Sequence, residues 1–266
     1  MPFAHYYIER INTIIKRLKI QLAIAFKKAL GIISPPVVFP YYGYGCQKRL
    51  YVKGQVLENR PEFFSDIDDK KRKNFKTMIA RYFSTPIPDC SVEIRINNMK
   101  YQAKSNDLGF FSLWIDLPAS LHNGWHQAEY IIYNDQLEVT CKKHGDFLIE
   151  NGDAGFGVIS DIDDTILISH STQLLRKLGL ILTKNSKTRL PFEGVSNFYR
   201  QFEAKGHPFF YVSSSEWNLY DFLIDFFEVR GLPKGPFLLQ EFKSGFKELL
   251  FSGGGDHEHK LIKIRR

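Results

Sequence analysis

Gly157-Val158-Ile159-Ser160-Asp161-Ile162-Asp163-Asp164-Thr165-Ile166 constrains this chain more than any other stretch. A short run of small and β-branched apolar residues stops abruptly at carboxylates, the pattern of a buried strand with acids at its carboxyl edge. In open α/β sheets ligands collect at that edge. Two carboxylates at i and i+2 can divide labour there, one attacking and the other handling protons. A carboxylate is a weak nucleophile, so it needs a strongly electrophilic target and a cation that offsets repulsion. Phosphoryl transfer assisted by Mg2+ meets both demands. The competing account is structural: a strand, an Asx-rich turn and a helix cap.

The chain carries its own control. Ser65-Asp66-Ile67-Asp68-Asp69 repeats the acidic pattern, but follows Pro61-Glu62-Phe63-Phe64 and leads into Lys70-Lys71-Arg72-Lys73. With no β-branched run ahead of them, these acids suit the first turn of a basic helix, where they complement the macrodipole. The first copy is assigned a structural role and the second a catalytic one.

A length of 266 residues, 44% apolar and 15% aromatic, allows one large or two ordinary globular domains. The net charge of +7 favours an anionic partner. A phospholipid surface or phosphorylated substrate ranks above nucleic acid, because no DNA- or RNA-reading motif is present, and no nucleic-acid partner is expected. Cys46, Cys90 and Cys141 are widely spaced and form no Cys-x-x-Cys pair, which predicts neither a disulfide framework nor a zinc site. The expected setting is cytoplasmic, with peripheral membrane association as an open addition. No uncharged stretch approaches the roughly 18 residues of a membrane-spanning helix, and no signal peptide is recognised.

Residues 5–33 are expected to form one amphipathic helix. Ile8, Ile11, Ile15, Leu18, Leu22, Phe26, Leu30 and Ile33 recur at three- and four-residue steps, and the segment carries Arg10, Lys16, Arg17, Lys19, Lys27 and Lys28 against Glu9. Such a stripe either lies in an anionic membrane interface or packs on the protein body or a partner helix. Pro35-Pro36 ends it. From Val37 to about Gly152 the period becomes two. Arg49–Leu57, Ser91–Ile96, Gly109–Leu117, Gln127–Tyr133 and Leu137–Lys142 alternate as strands, punctuated by Asn97-Asn98, Asn106-Asp107 and Asn134-Asp135. A β-sandwich is expected, interrupted by a helix near Asp69 to Phe83. Tyr41-Tyr42-Gly43-Tyr44-Gly45 is expected to be a glycine-broken aromatic turn, either covering the sandwich or touching a catalytic cleft. His122, His126 and His144 are assigned to the surface or a sheet edge.

Pro208-Phe209-Phe210-Tyr211-Val212-Ser213 predicts a second strand that again delivers a hydroxyl at its end. A helix from Glu216 to Arg230 and a short strand over Phe237–Leu239 follow. Ser252-Gly253-Gly254-Gly255 has neither a preceding strand nor a P-loop Lys-Ser/Thr, so it predicts a lead into a helix capped by Asp256. His257 and His259 would point about 200° apart on that helix and do not share a ligand face.

Phe156 to Ser169 resembles the first motif of haloacid-dehalogenase-type phosphatases. Together with Tyr41–Gly45, Gly152–Thr165, Phe209–Phe242 and Ser252–Lys260, it is similar to the catalytic domain of the actin-patch type of phosphatidate phosphatases. The resemblance implies an α/β haloacid-dehalogenase-like catalytic domain over residues 153–266. Ahead of it come an all-β sandwich-like accessory domain at 36–152 and the basic amphipathic helix at 1–35. It implies a Mg2+-dependent phosphomonoester hydrolase that takes a phosphorylated lipid through an aspartyl phosphate. Asp161 is then the nucleophile and Asp163 the general acid and base. Asp161 and the Asp163 backbone carbonyl are the metal ligands. Thr165, Ser213 and Lys260 stabilise the phosphoryl group, while Ser214, Trp217, Asn218 and Tyr220 contact substrate. The segment between the first two strands is too short for a large cap, which suits a bulky or membrane-held substrate.

The sequence departs from the family at its end. No fourth acidic motif follows Lys260 before Arg266, so the catalytic domain is expected to be incomplete at its C-terminus, with the strand bearing Asp161 left at an edge. Truncation is the favoured explanation, since Asp161, Asp163, Thr165, Ser213 and Lys260 are all intact. The alternative function is a non-catalytic module that binds lipid or protein, built on a degenerate or truncated phosphatase domain.

Overall fold

The computed structural model describes residues 18, 21, 22, 24–27, 29, 30, 34–60, 84–152, 155–162 and 193–240. Strand takes 47% and helix 20% of these. Strands β1 (Pro36–Pro40), β2 (Gly43–Gly45), β3 (Arg49–Glu58), β4 (Ser91–Ile96), β5 (Met99–Lys104), β6 (Phe110–Asp116), β7 (Gly124–Tyr133) and β8 (Val139–Ile149) form one mixed sheet. The smaller part contains β9 (Val158–Asp161), α1 (Glu193–Glu203), β10 (Phe209–Glu216), a 3-10 turn at Trp217–Leu219, α2 (Tyr220–Arg230) and β11 (Phe237–Gln240).

This overturns the expected fold class, an α/β haloacid-dehalogenase-like domain preceded by an all-β sandwich-like domain and an N-terminal helix. The described molecule is strand-rich and dominated by one large mixed sheet. The joining piece is β2, which pairs antiparallel with β3 and parallel with β8. Strands that alternation alone would divide between two facing sheets are thereby hydrogen-bonded into one. The sheet runs β1-β3-β2-β8-β7-β4-β5, with β6 on the other edge of β3. It curls until β5 and β6 come into contact. A glycine-broken aromatic segment can act as a strand here because of close approach: a Cβ on Gly45 would sit 2.2 Å from the Arg49 carbonyl oxygen.

Turn chemistry fixes the hairpins. Asn97 takes φ 53° between β4 and β5, a left-handed conformation that Asn tolerates. Between β7 and β8, Asn134 Oδ1 accepts hydrogen bonds from the amides of Gln136 at 3.0 Å and Glu138 at 2.8 Å. Inside the curl lies an aliphatic core that includes Val38, Val52, Val56, Ile94, Ile132 and Ile149.

The described residues between 18 and 29 are helical. Ile24 is buried, while Leu18, Leu22, Phe26 and Leu30 are exposed. These four described members of the expected stripe are thus not packed on the protein body. The segment is tied down instead by Lys27, which donates to Glu58 and, at 2.9 Å, to Thr85 Oγ1. Burial pushes the Glu58 carboxyl up. Hydrogen bonds from Lys27, Thr85 and the Ser34 amide, with the Lys27 charge, outweigh it and hold the group below its ordinary value. The expected helix near Asp69–Phe83, the acidic copy at 65–69 and the glycine run at 252–255 lie outside the described residues.

Candidate active site

β9, β10 and β11 form a three-stranded parallel sheet in the order β11-β10-β9. Phe209 pairs with Val158 and Val212 with Asp161, and the Ile162 amide donates to the Val212 carbonyl at 3.1 Å. Asp161 and Ser213 thus stand at neighbouring points on the carboxyl side of adjacent parallel strands, where such sheets gather ligands. Ideal alternation would send the two side chains to opposite faces. The register of β10 against β11 shifts between Val212 and Glu216, the kind of irregularity that re-aims side chains at a strand end.

Asp161 is half-buried, and Ser160 beside it is buried, its hydroxyl 2.7 Å from that of Tyr199 on α1. That contact holds α1 against the strand bearing the acid. Ser213 is fully buried, and its Oγ accepts a hydrogen bond from the Ser215 amide at 2.9 Å. Ser214 lies between them in β10. Trp217 and Asn218 form the following 3-10 turn, and Tyr220 opens α2; all three are buried.

The aromatic turn makes contact with this region rather than lying over the larger sheet alone. Tyr41 stacks on Trp217, ring centres 4.1 Å apart and planes 24° apart. The Tyr42 amide donates to Tyr220 Oη at 2.8 Å. Trp217 and Tyr220, expected to touch substrate, are thus engaged with the larger sheet. Tyr41 donates to Gln55 Oε1 at 3.2 Å, and Gln55 Nε2 donates to the Leu108 carbonyl at 3.0 Å. Lys53, buried on β3, places its ammonium 5.1 Å from the Phe110 ring centre and 5.6 Å from that of Trp217. Sequence reasoning missed Lys53. Its one signal was a lysine in the middle of a strand with apolar neighbours on both sides.

A second clasp lies nearby. Lys234 donates to Asp146 Oδ2 at 2.6 Å, with its ammonium 4.1 Å from the Trp125 ring centre and 4.9 Å from that of Tyr42. Burial, and behind it the charges of Asp146 and Glu228, push the Tyr42 phenol up to about 12. α1 and α2 are locked together at Gly231, which has φ 59° and accepts a hydrogen bond from Arg200 Nε at 3.0 Å. The positive φ is what calls for glycine at this helix end, since the only close neighbour of an added Cβ would be the flexible Arg200 guanidinium.

The oxygen donor of Asp161 suits a hard cation such as Mg2+ in kind. The described residues hold no group of three or more His, Cys, Asp or Glu able to bind a metal. Asp163, Thr165 and Lys260 lie outside the described residues. No helix among the described residues is long and apolar enough to cross a membrane.

A search of curated proteins returned no match. Among solved structures, the chain is similar to a protein of unknown function from Porphyromonas gingivalis W83, at 6% identity and a TM-score of 0.21. The match covers 48% of this chain and 58% of that one, so this chain spans less than two thirds of the length of that protein. A likeness so slight carries no argument. The family comparison is of a different order. Residues 156–266 match the family model of the phosphatidate phosphatase APP1 catalytic domain.

Proposed function

We propose that this protein hydrolyses the phosphomonoester of phosphatidate through an aspartyl-phosphate intermediate. The match of 156–266 to a phosphatidate phosphatase family supports the reaction class and a phosphorylated lipid as substrate. The observation that supports the residue assignment is the parallel pairing of Val212 with Asp161, which sets Asp161 and Ser213 at neighbouring backbone positions on the carboxyl side of adjacent strands. In the proposed sequence, Asp161 attacks phosphorus in line while the bond to the lipid alkoxide breaks, and Asp163 gives the alkoxide its proton. Water then attacks the same phosphorus and Asp163 takes its proton. The bond to Asp161 breaks, which releases inorganic phosphate and restores the carboxylate. Thr165, Ser213 and Lys260 hold the phosphoryl oxygens, with Ser214, Trp217, Asn218 and Tyr220 lining the approach. Mg2+, held by Asp161 and the Asp163 carbonyl, would supply charge neutralisation at those oxygens when bound.

The proposed division of labour runs along the chain. Residues 153–266 carry the chemistry, and 36–152 wall it through Tyr41 and Tyr42. Phosphate release from phosphatidate in detergent micelles tests this. Asp161→Asn should lower turnover by about 10³-fold or more, the scale on which loss of a covalent nucleophile acts, while leaving the melting temperature near that of the native chain. Asp163→Asn should spare more activity with an aryl phosphate, whose leaving group needs little protonation, than with phosphatidate. Wild-type turnover by Asp161→Asn would refute the assignment.

A further inference from the structure

The helical residues between 18 and 30 turn their apolar side away from the protein. Leu18 is 53% exposed, Leu22 68%, Phe26 66% and Leu30 55%. Residues four apart drift by about 40° around a helix, so these four make one continuous stripe about 120° wide. Single exposed leucines are ordinary, but four large apolar side chains in line are not. The opposite side is occupied: Ile24 is 8% exposed, and Lys27 reaches Glu58 and Thr85 on the larger sheet's side. The clamp thus fixes which face looks outward.

We propose that Leu18, Leu22, Phe26 and Leu30 form a docking face that inserts into the interface of an anionic lipid bilayer. Charge complementarity selects this occupant over a protein groove. Besides Lys27, which is paired with Glu58, residues 5–33 carry Arg10, Lys16, Arg17, Lys19 and Lys28 against the single acid Glu9. Basic side chains with apolar stems keep their charges at the headgroups while the stripe enters the acyl boundary. The stripe lies along the surface rather than through it, since no described helix has the length and hydropathy to span. The docking face goes beyond the proposed phosphatase reaction and stands without it.

The test uses the full chain and sedimentation with two vesicle types, phosphatidylcholine alone and phosphatidylcholine mixed with phosphatidylserine. The mixed vesicles should retain the protein, and added salt should release part of it as the charges are screened. The double variant Leu22→Glu, Phe26→Glu should weaken retention by at least about tenfold. The loss of two inserted side chains exceeds the 1.4 kcal/mol that tenfold represents. Leu137→Asp, at a still more exposed apolar residue on the β7–β8 turn, should bind as the native chain does. The double variant should keep the native melting temperature, because neither side chain packs on the body.

Failure of the native chain to sediment with either vesicle would overturn the proposal, as would retention of the double variant at the native level. A concentration-dependent dimer that the double variant splits would assign the face to a second copy and overturn it as well. Native vesicle binding without any phosphate release would leave the docking face standing and sink the proposed reaction. Equal hydrolysis of a soluble short-chain phosphatidate by the native chain and the double variant would support both.

Discussion

The two cores of this protein are built from different materials. Within the curled sheet the core is mostly aliphatic, with Phe111, Tyr130 and Phe147 the aromatic members among its described buried residues. The core around β9, β10 and α2 is mostly rings: Tyr199, Phe209, Tyr211, Trp217, Tyr220, Phe222, Phe226, Phe227 and Phe237, joined by Tyr41 and Phe110 from the larger sheet. β-branched side chains fit a continuous pleated surface and carry no polar atoms to satisfy. Rings cover more area and bring a polar handle. Here the handles are used: Tyr199 reaches Ser160, Tyr211 donates to the Pro233 carbonyl at 2.9 Å, and Tyr220 accepts from the Tyr42 amide. A sheet held by its own ladder needs filling, whereas three short parallel strands need stitching to their surroundings.

The sharpest test of that contrast is Tyr41, which belongs by sequence to the first region and by packing to the second. Tyr41→Ala removes a fully buried ring stacked on Trp217 and should destabilise the protein by about 3–5 kcal/mol. Ile94→Val, in the aliphatic core, should cost about 0.5–1.5 kcal/mol. Urea unfolding followed by both tryptophan fluorescence and far-UV circular dichroism separates the possibilities. If the shared core joins the regions, the native chain shows one coincident transition and Tyr41→Ala pulls the two signals apart. Equal effects from both variants would dissolve the distinction.

A pH experiment sharpens the comparison at the seam. The Tyr42 phenol titrates near 12 in the folded protein against 10 for an exposed tyrosine. Between those values the folded state binds more protons than the unfolded state, so stability falls as pH rises from 10 to 12. Tyr42→Phe should flatten part of that decline while keeping the backbone bond to Tyr220. Buried Tyr130 and Tyr211, also pushed up by burial, leave a residual slope. An unchanged slope in thermal melts would remove Tyr42 from the seam's electrostatics.

What the sequence made legible follows the same division. Alternation and β-branched runs located β3, β4, β6 and β7 closely, although β3 is buried on both faces along nearly its whole length. β8 was cut short at Lys142, where Gly145 and charged residues break the pattern before it resumes at Phe147-Leu148-Ile149. β5, Met99–Lys104, was missed because its burial is slight, and β2 because two of its three residues are glycine. Topology was the larger loss. Nothing in alternation says that a three-residue strand will weld two expected sheets into one. In the smaller region the apolar runs ending at Asp161 and Ser213 marked β9 and β10, but α1 was not foreseen. Val195, Tyr199 and Phe202 nevertheless recur at four- and three-residue steps and pack on the aromatic core, a stripe the sequence does carry, with Ser160 and the α2 terminus completing that face. Nothing in the sequence signals that Trp217 and Tyr220, expected to contact substrate, also join the smaller region to the larger sheet.

The smallest expected effect comes from the outer edge of that joint. Lys234 ties Asp146 of β8 to the segment before β11 while lying over Trp125 and Tyr42. Both charged partners keep appreciable contact with water, 40% and 24% exposed, so the ion pair itself contributes only about 0.2–1 kcal/mol. The ammonium over two rings adds a contribution of similar size. Asp146→Asn should therefore destabilise by under about 1 kcal/mol, because the rings still hold the ammonium. Lys234→Met should do the same or less, since a thioether packs well on aromatic faces. Lys234→Glu should be worse than either, as it sets a second carboxylate beside Asp146 and the electron-rich ring faces. Measured in high salt, Asp146→Asn should lose most of its effect, whereas Tyr41→Ala should lose none. A salt-insensitive penalty for Asp146→Asn would mean that this carboxylate is as deeply committed to the joint as the aromatic core beneath it.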